Sequence, residues 1–69
     1  MMTLEQAREG AKRDRFGGPG IARSRMAIVR APDDHTGEPT FEYCPAMFVE
    51  TLYGILLNAG VAEIVEYLD

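Results

Sequence analysis

The stretch from residue 46 to residue 59 limits the possible folds most, because it has the pattern of an apolar helix with a defined start and stop. Pro45 stands where the first turn of a helix tolerates proline, and Gly60 stands where a helix often ends in a left-handed residue. Apolar residues recur every three or four positions between them, which predicts one wide core-facing side made of Phe48, Val49, Leu52, Ile55, Leu56 and Ala59. A chain of 69 residues must bury that side against its few other elements.

The residues before this helix predict a second helix and a β-hairpin. Thr3 and Gln6 form a capping-box pattern, which places an N-terminal helix near residues 4–15. Alternating residues predict a strand at 22–30 and a shorter strand at 40–44, and the loop between them is rich in turn-forming residues.

The last segment, 61–68, fits two structures. Helical spacing of Val61, Ile64, Val65 and Leu68 favours a short C-terminal helix. Alternation of Val61, Glu63, Val65 and Tyr67, with many β-branched residues, keeps a third strand open. We therefore expect a single small α+β domain over residues 1–69. It would contain an N-terminal helix, a two-stranded antiparallel hairpin, a long apolar helix and a short C-terminal helix (or third strand), with the helices on one face of the sheet.

Charge is divided unevenly along the chain. Residues 1–30 hold all seven basic residues and three acids, a net of +4. Residues 31–69 hold eight acids and no base, a net of −8, so the whole chain carries −4. Such a division is typical of two halves that pair their charges, and it also fits an acidic interaction surface or a nucleic-acid contact.

The basic segment 12–30 is the candidate for direct nucleic-acid binding, which is the alternative function. In size and in its order of helix, hairpin and helix, the chain resembles a double-stranded-RNA-binding domain. That family carries a basic cluster at its last helix, and this chain has no basic residue after Arg30. Because the net charge is also negative, direct binding is the less expected function.

No set of residues for catalysis or for holding a cofactor is complete. Cys44 is the lone cysteine, so an internal disulfide is excluded, and His35 is the lone histidine that could serve as its base. The turn with Asp33, Asp34 and His35 lacks the ligand spacing of known metal sites. We therefore expect a non-enzymatic protein with no catalytic residue, no cofactor and no metal ion.

The remaining function is recognition of another protein. A small acidic domain can occupy a basic cleft in place of phosphate, so we expect a stoichiometric inhibitor or adaptor that docks on a larger nucleic-acid-handling protein. In size and in lacking catalytic motifs, the chain is similar to small phage-encoded inhibitors of host defence, anti-CRISPR proteins among them. The expected partner-binding residues are Arg23, Arg25, Asp33, Asp34, Glu38, Glu42, Met47, Tyr53 and Leu57.

Two further expectations concern assembly and location. The small core and the second apolar side of the long helix predict a homodimer or a tight complex with another protein. The lone thiol, the lack of an apolar signal core and the short apolar runs predict a soluble cytoplasmic protein that does not enter a membrane.

Overall fold

The computed structural model describes residues 2–15 and 25–68, which form two α-helices and a three-stranded sheet. In chain order the elements are α1 (Leu4–Arg15), β1 (Met26–Pro32), β2 (Pro39–Pro45), a 3-10 turn (Ala46–Phe48), α2 (Val49–Asn58) and β3 (Glu63–Leu68). The fold is α+β, and α1 lies where the sequence predicts it. β1 begins at Met26 and continues two residues beyond the predicted end, and the predicted part at 22–24 lies outside the described ranges.

The predicted hairpin with a C-terminal helix is wrong, because the last segment is a third strand. The sheet order is β2-β1-β3, with both pairs antiparallel, so β1 is the central strand. β2 and β3 therefore run in the same direction on either side of β1, and α2 connects them. Burial against this central strand selects the strand over the helix for a segment whose spacing allows both.

A β-bulge interrupts the pairing of β3 with β1. Ile28 pairs with Glu66 and the next residue, Val29, pairs with Ile64, so Val65 is the extra residue. Across the bulge, residues three apart share a face of the sheet: Glu63 with Glu66, and Ile64 with Tyr67. The helical spacing of Ile64 and Leu68 therefore does not mark a shared side, because Ile64 packs on the α2 side of the sheet and Leu68 on the α1 side.

The two helices cover opposite faces of the sheet, whereas we expected both on one face. On one face, Ala7 and Ala11 of α1 form a buried cluster with Met26 and Ile28. On the other face, α2 packs over alternate residues of β1, namely Ala27, Val29 and Ala31. β1 is thus buried on both sides, which is why its sequence reads as an almost unbroken apolar run.

Helix α1 lies close to the sheet because its buried residues, Ala7, Gly10 and Ala11, are small. The predicted capping box is formed: the Gln6 amide donates to Thr3 Oγ1 at 3.1 Å, and the Thr3 amide donates to Gln6 Oε1 at 2.9 Å. Gly10 is buried against Tyr43 of β2, and a Cβ at this position would overlap the Tyr43 ring, with Cζ at 2.8 Å. Glycine at position 10 therefore allows the close contact between α1 and the Tyr43 ring, although glycine lowers helix propensity.

The long apolar helix predicted over 46–59 is wrong in length, because residues 46–48 form the 3-10 turn and α2 begins at Val49. Its predicted core-facing side is wrong in most of its residues. Val49 is buried, and Tyr53, Leu56 and Leu57 pack against the sheet over the small side chains of Ala27, Ala31 and Ala62. Large side chains over alanines fill the layer between helix and sheet. Four of the six residues assigned to the core side, Phe48, Leu52, Ile55 and Ala59, are exposed instead. Gly60 ends the helix with a φ of +75°, as the sequence predicts.

Neither described helix could cross a lipid bilayer, since none in residues 2–15 and 25–68 is long and apolar enough. A transmembrane helix needs about 20 consecutive apolar residues.

Candidate protein-binding surfaces

The acidic residues expected to bind a partner gather at the turn between β1 and β2. We call Asp33, Asp34 and Glu38 the acidic turn. Asp33 organises it: its Oδ1 accepts hydrogen bonds from the amides of His35 at 2.8 Å and Thr36 at 3.1 Å. These bonds, the first from His35, hold the pKa of the Asp33 carboxyl below its ordinary value of 3.8. Asp33 is therefore ionised at neutral pH and fixes the shape of the turn.

Backbone bonds complete the acidic turn. The amide of Asp33 donates to the Glu38 carbonyl at 2.8 Å, and the amide of Gly37 donates to the Asp33 carbonyl at 2.9 Å. Gly37 has a φ of +74°, a conformation that favours glycine. Asp34 and Glu38 are exposed, and no basic side chain of the described ranges forms an ion pair with either. Their carboxylates are thus presented on a backbone that is already ordered.

Glu42, the fourth predicted acid, is placed differently. It lies in β2 opposite Val29, on the face that α2 covers, and it is half-buried. Its charge acts on Tyr53: burial raises the pKa of the Tyr53 phenol to about 12, and the nearby Glu42 adds to the shift. Glu42 therefore stands apart from the acidic turn in its surroundings.

Four arginines, Arg8, Arg13, Arg25 and Arg30, contact acids or aromatic rings of the same molecule. Arg8 pairs with Glu66 and, at 3.5 Å, with Glu5. The guanidinium of Arg30 lies 2.7 Å from Glu63 Oε1 across the β1–β3 pair. The pairs with Glu66 and Glu63 join the basic half of the chain to the acidic half.

A third group of contacts surrounds Tyr43. Its hydroxyl donates to Asp14 Oδ2 at 2.5 Å and accepts from Arg13 at 3.4 Å, and Arg13 also pairs with Asp14 at 3.3 Å. The hydrogen bond to Asp14 raises the pKa of the Tyr43 phenol and lowers that of the Asp14 carboxyl. Arg13, which belongs to the basic segment, is thus engaged within the domain.

Of the two arginines expected at the partner surface, one has a described position. Arg25 precedes β1, and its guanidinium carbon lies 4.2 Å from the centre of the Tyr67 ring, which is a cation–π contact. Arg23 lies outside the described residues. Arg25 is therefore placed at β3 and serves the fold of its own chain.

The three apolar residues expected to contact a partner are divided by the structure. Met47, in the 3-10 turn, is 64% exposed. Tyr53 and Leu57 pack against the sheet, so these side chains are in contact with the core of their own chain. The exposed apolar residues of α2, Leu52 and Ile55, are ones that the sequence pattern assigned to the core. Both sides of the helix have similar apolar content, so periodicity alone gave no signal for choosing between them.

Cys44 has the surroundings of a structural thiol. It is 4% exposed and packs with Ala27 and Val49, and burial raises the pKa of its thiol. The thiolate is the reactive form, so this environment lowers reactivity. Over the ranges 2–15 and 25–68, no three His, Cys, Asp or Glu side chains come together as a metal-binding group.

We compared the chain with protein-family models, with curated proteins and with solved structures, and none of them matches it.

Proposed function

We propose that the protein is a small non-enzymatic interaction module that presents its acidic turn to a basic surface on a larger nucleic-acid-handling protein. It would act there as a stoichiometric inhibitor or adaptor. One observation carries this proposal: Asp34 and Glu38 are exposed without a basic partner among the described residues, while Arg8, Arg13 and Arg30 are held in internal ion pairs.

The acidic turn has an ordered backbone before any partner binds, which lowers the entropy cost of binding. Exposed carboxylates attract a basic surface over roughly 10 Å at 0.1 M salt and raise the rate of association. Because Asp33 already fixes the turn through the amides of His35 and Thr36, binding would require little further ordering of the backbone. A basic surface that normally receives phosphates is a suitable partner, since carboxylates and phosphates present the same sign of charge.

Direct nucleic-acid binding through 12–30 remains the alternative function. The internal pairs of Arg13 and Arg30 compete with phosphate contacts at two of its basic residues. A protein that relied on these arginines would have to exchange an internal carboxylate for each phosphate. We place the protein in the cytoplasm, where nucleic-acid-handling partners are found and a lone thiol such as Cys44 stays reduced.

The test compares two charge reversals on the folded protein. The double variant Asp34→Lys/Glu38→Lys reverses the acidic turn, and Glu50→Lys reverses an exposed acid on α2 as the control. A partner is first isolated from nuclease-treated host extract and purified. The double variant should then bind it at least about tenfold more weakly, mainly through slower association, while the control binds normally.

Two further measurements separate the proposal from its alternative. Binding to the purified partner should weaken as salt rises and should be displaced by duplex DNA or RNA, since both would occupy one basic surface. Gel shifts of the protein itself with nucleic acid should be blank at moderate salt. Strong shifts that Arg13→Ala or Arg30→Ala abolishes would establish direct nucleic-acid binding and overturn the proposal.

A further inference from the structure

One side of α2 is apolar and exposed. Phe48 is 39% exposed, Leu52 is 59% exposed and Ile55 is 86% exposed, and Ala59, just past the helix end, is exposed as well. We call these four residues the α2 stripe. They are separate from the side that packs on the sheet, which is formed by Val49, Tyr53, Leu56 and Leu57.

The spacing of the α2 stripe is that of a helix–helix seam. Its members follow one another at intervals of four, three and four residues, which is the a/d spacing that lets two helices interlock side chains. An α-helix places residues three and four apart on one side, so the stripe forms a continuous row along α2. A second helix is therefore the surface that fits it best.

Charge around the stripe favours a second copy of this chain over a charged partner. The helical positions that border the stripe on its exposed flank are Thr51 and Asn58, both uncharged. The acid of α2, Glu50, lies on the opposite side of the helix. Neither the stripe nor its exposed flank on α2 carries a charge, so the two stripes can meet without like charges between them.

The composition of the core supplies a second argument. Of the described residues, the largest fully buried side chains are Ile28 and Val29, and alanines make up much of the remaining core. A domain this small buries a limited share of its apolar surface, and oligomers are a common way to bury more.

From these observations we infer that a second copy of the same chain covers the α2 stripe, in a two-fold symmetric contact between the two α2 helices. Each copy contributes the same surface, as a two-fold contact requires. The α2 stripe shares no residue with the acidic turn, so the inference does not depend on the proposed function.

The experiment measures mass against concentration for the wild type and three variants, by light scattering and sedimentation from about 1 µM to about 1 mM. The wild type should shift from monomer to dimer in this range, because one helix per copy is a small interface. Ile55→Glu and Leu52→Glu should each weaken the dimer at least about tenfold, since each places a charge in the seam. Gly54→Glu is the matched control: it adds the same charge to α2 away from the stripe, where a Cβ has nothing within 4 Å. It should dimerise like the wild type.

Circular dichroism of each variant checks that it is folded. We expect Ile55→Glu to fold, because Ile55 is exposed and makes little contact with the core. Higher salt should leave the dimer unchanged or strengthen it. Salt screens the repulsion between two negative chains, and the apolar seam contains no charge–charge attraction that salt could weaken. A wild type that stays monomeric over the whole range would overturn the inference, and so would an Ile55→Glu variant that is folded and still dimeric.

Discussion

Gly10 shows how one residue sets the distance between a helix and the sheet. Replacing glycine with alanine at an ordinary position inside a helix stabilises the folded chain by about 1 kcal/mol. At Gly10 the added Cβ meets the Tyr43 ring, with Cζ at 2.8 Å, so Gly10→Ala should instead lower the free energy of unfolding by roughly 1–3 kcal/mol. In a Tyr43→Ala background the same substitution should become stabilising. Urea unfolding of the wild type, the two single variants and the double variant measures this change of sign. Equal effects of Gly10→Ala in both backgrounds would show that no steric conflict exists.

Cys44 gives a second prediction for a single residue. Because its thiol is buried and its pKa is raised, alkylation by iodoacetamide at neutral pH should be slow in the native protein and fast in urea. The reaction rate should therefore follow the opening of the α2 side of the sheet. Rapid, complete alkylation of the native protein, detected by mass spectrometry, would contradict this environment.

At the level of elements, β3 is where the strand and helix interpretations differ most clearly. In the strand, Ile64 packs in the cluster with Ala27 and Cys44, whereas Val65 is the bulge residue and is 38% exposed. Ile64→Asp should therefore lower the free energy of unfolding by about 2 kcal/mol or more, and Val65→Asp by less than about 1 kcal/mol. A terminal helix would place both residues in the core and would make the two losses similar. Thermal denaturation of both variants distinguishes the structures.

The elements also show which features the sequence could predict. Local chemistry identified α1 and the end of α2, since the Thr3–Gln6 capping box and the left-handed Gly60 depend on residues nearby in the chain. The side of α2 that faces the sheet depends on the alanines beneath it, which belong to other elements. The acidic turn could be located from its turn-forming residues, but the exposure of Leu52 and Ile55 could not. Tertiary packing decided each feature that periodicity left open.

For the whole molecule, the shifted pKa values predict a stability plateau with two limits. The pKa values of Asp14 and Asp33 are lowered by folding, so their contribution is present above their ordinary value of 3.8 and is lost as the pH falls through the lowered values. The pKa of Tyr53 is raised from 10.0 to about 12, so its contribution is full below pH 10 and is lost as the pH rises toward 12.

Melting temperature measured across this pH range tests the plateau. Tyr53→Phe should remove part of the fall above pH 10, and Asp33→Asn should remove part of the fall at acidic pH while keeping an oxygen acceptor for the turn. A melting temperature of the wild type that keeps rising above pH 10 would contradict the burial of Tyr53.

The position of β1 between two partners has a consequence for the order in which the sheet opens. β1 meets β2 through a short turn, but it meets β3 only after the chain has passed through β2 and α2. Closing that longer loop costs more chain entropy, and the bulge at Val65 interrupts the β1–β3 pairing, whereas the register of β1 with β2 is continuous. In deuterated solvent, the amide hydrogens that link β1 to β3 should therefore exchange earlier than those that link β1 to β2, because β3 can open while β1 and β2 stay paired.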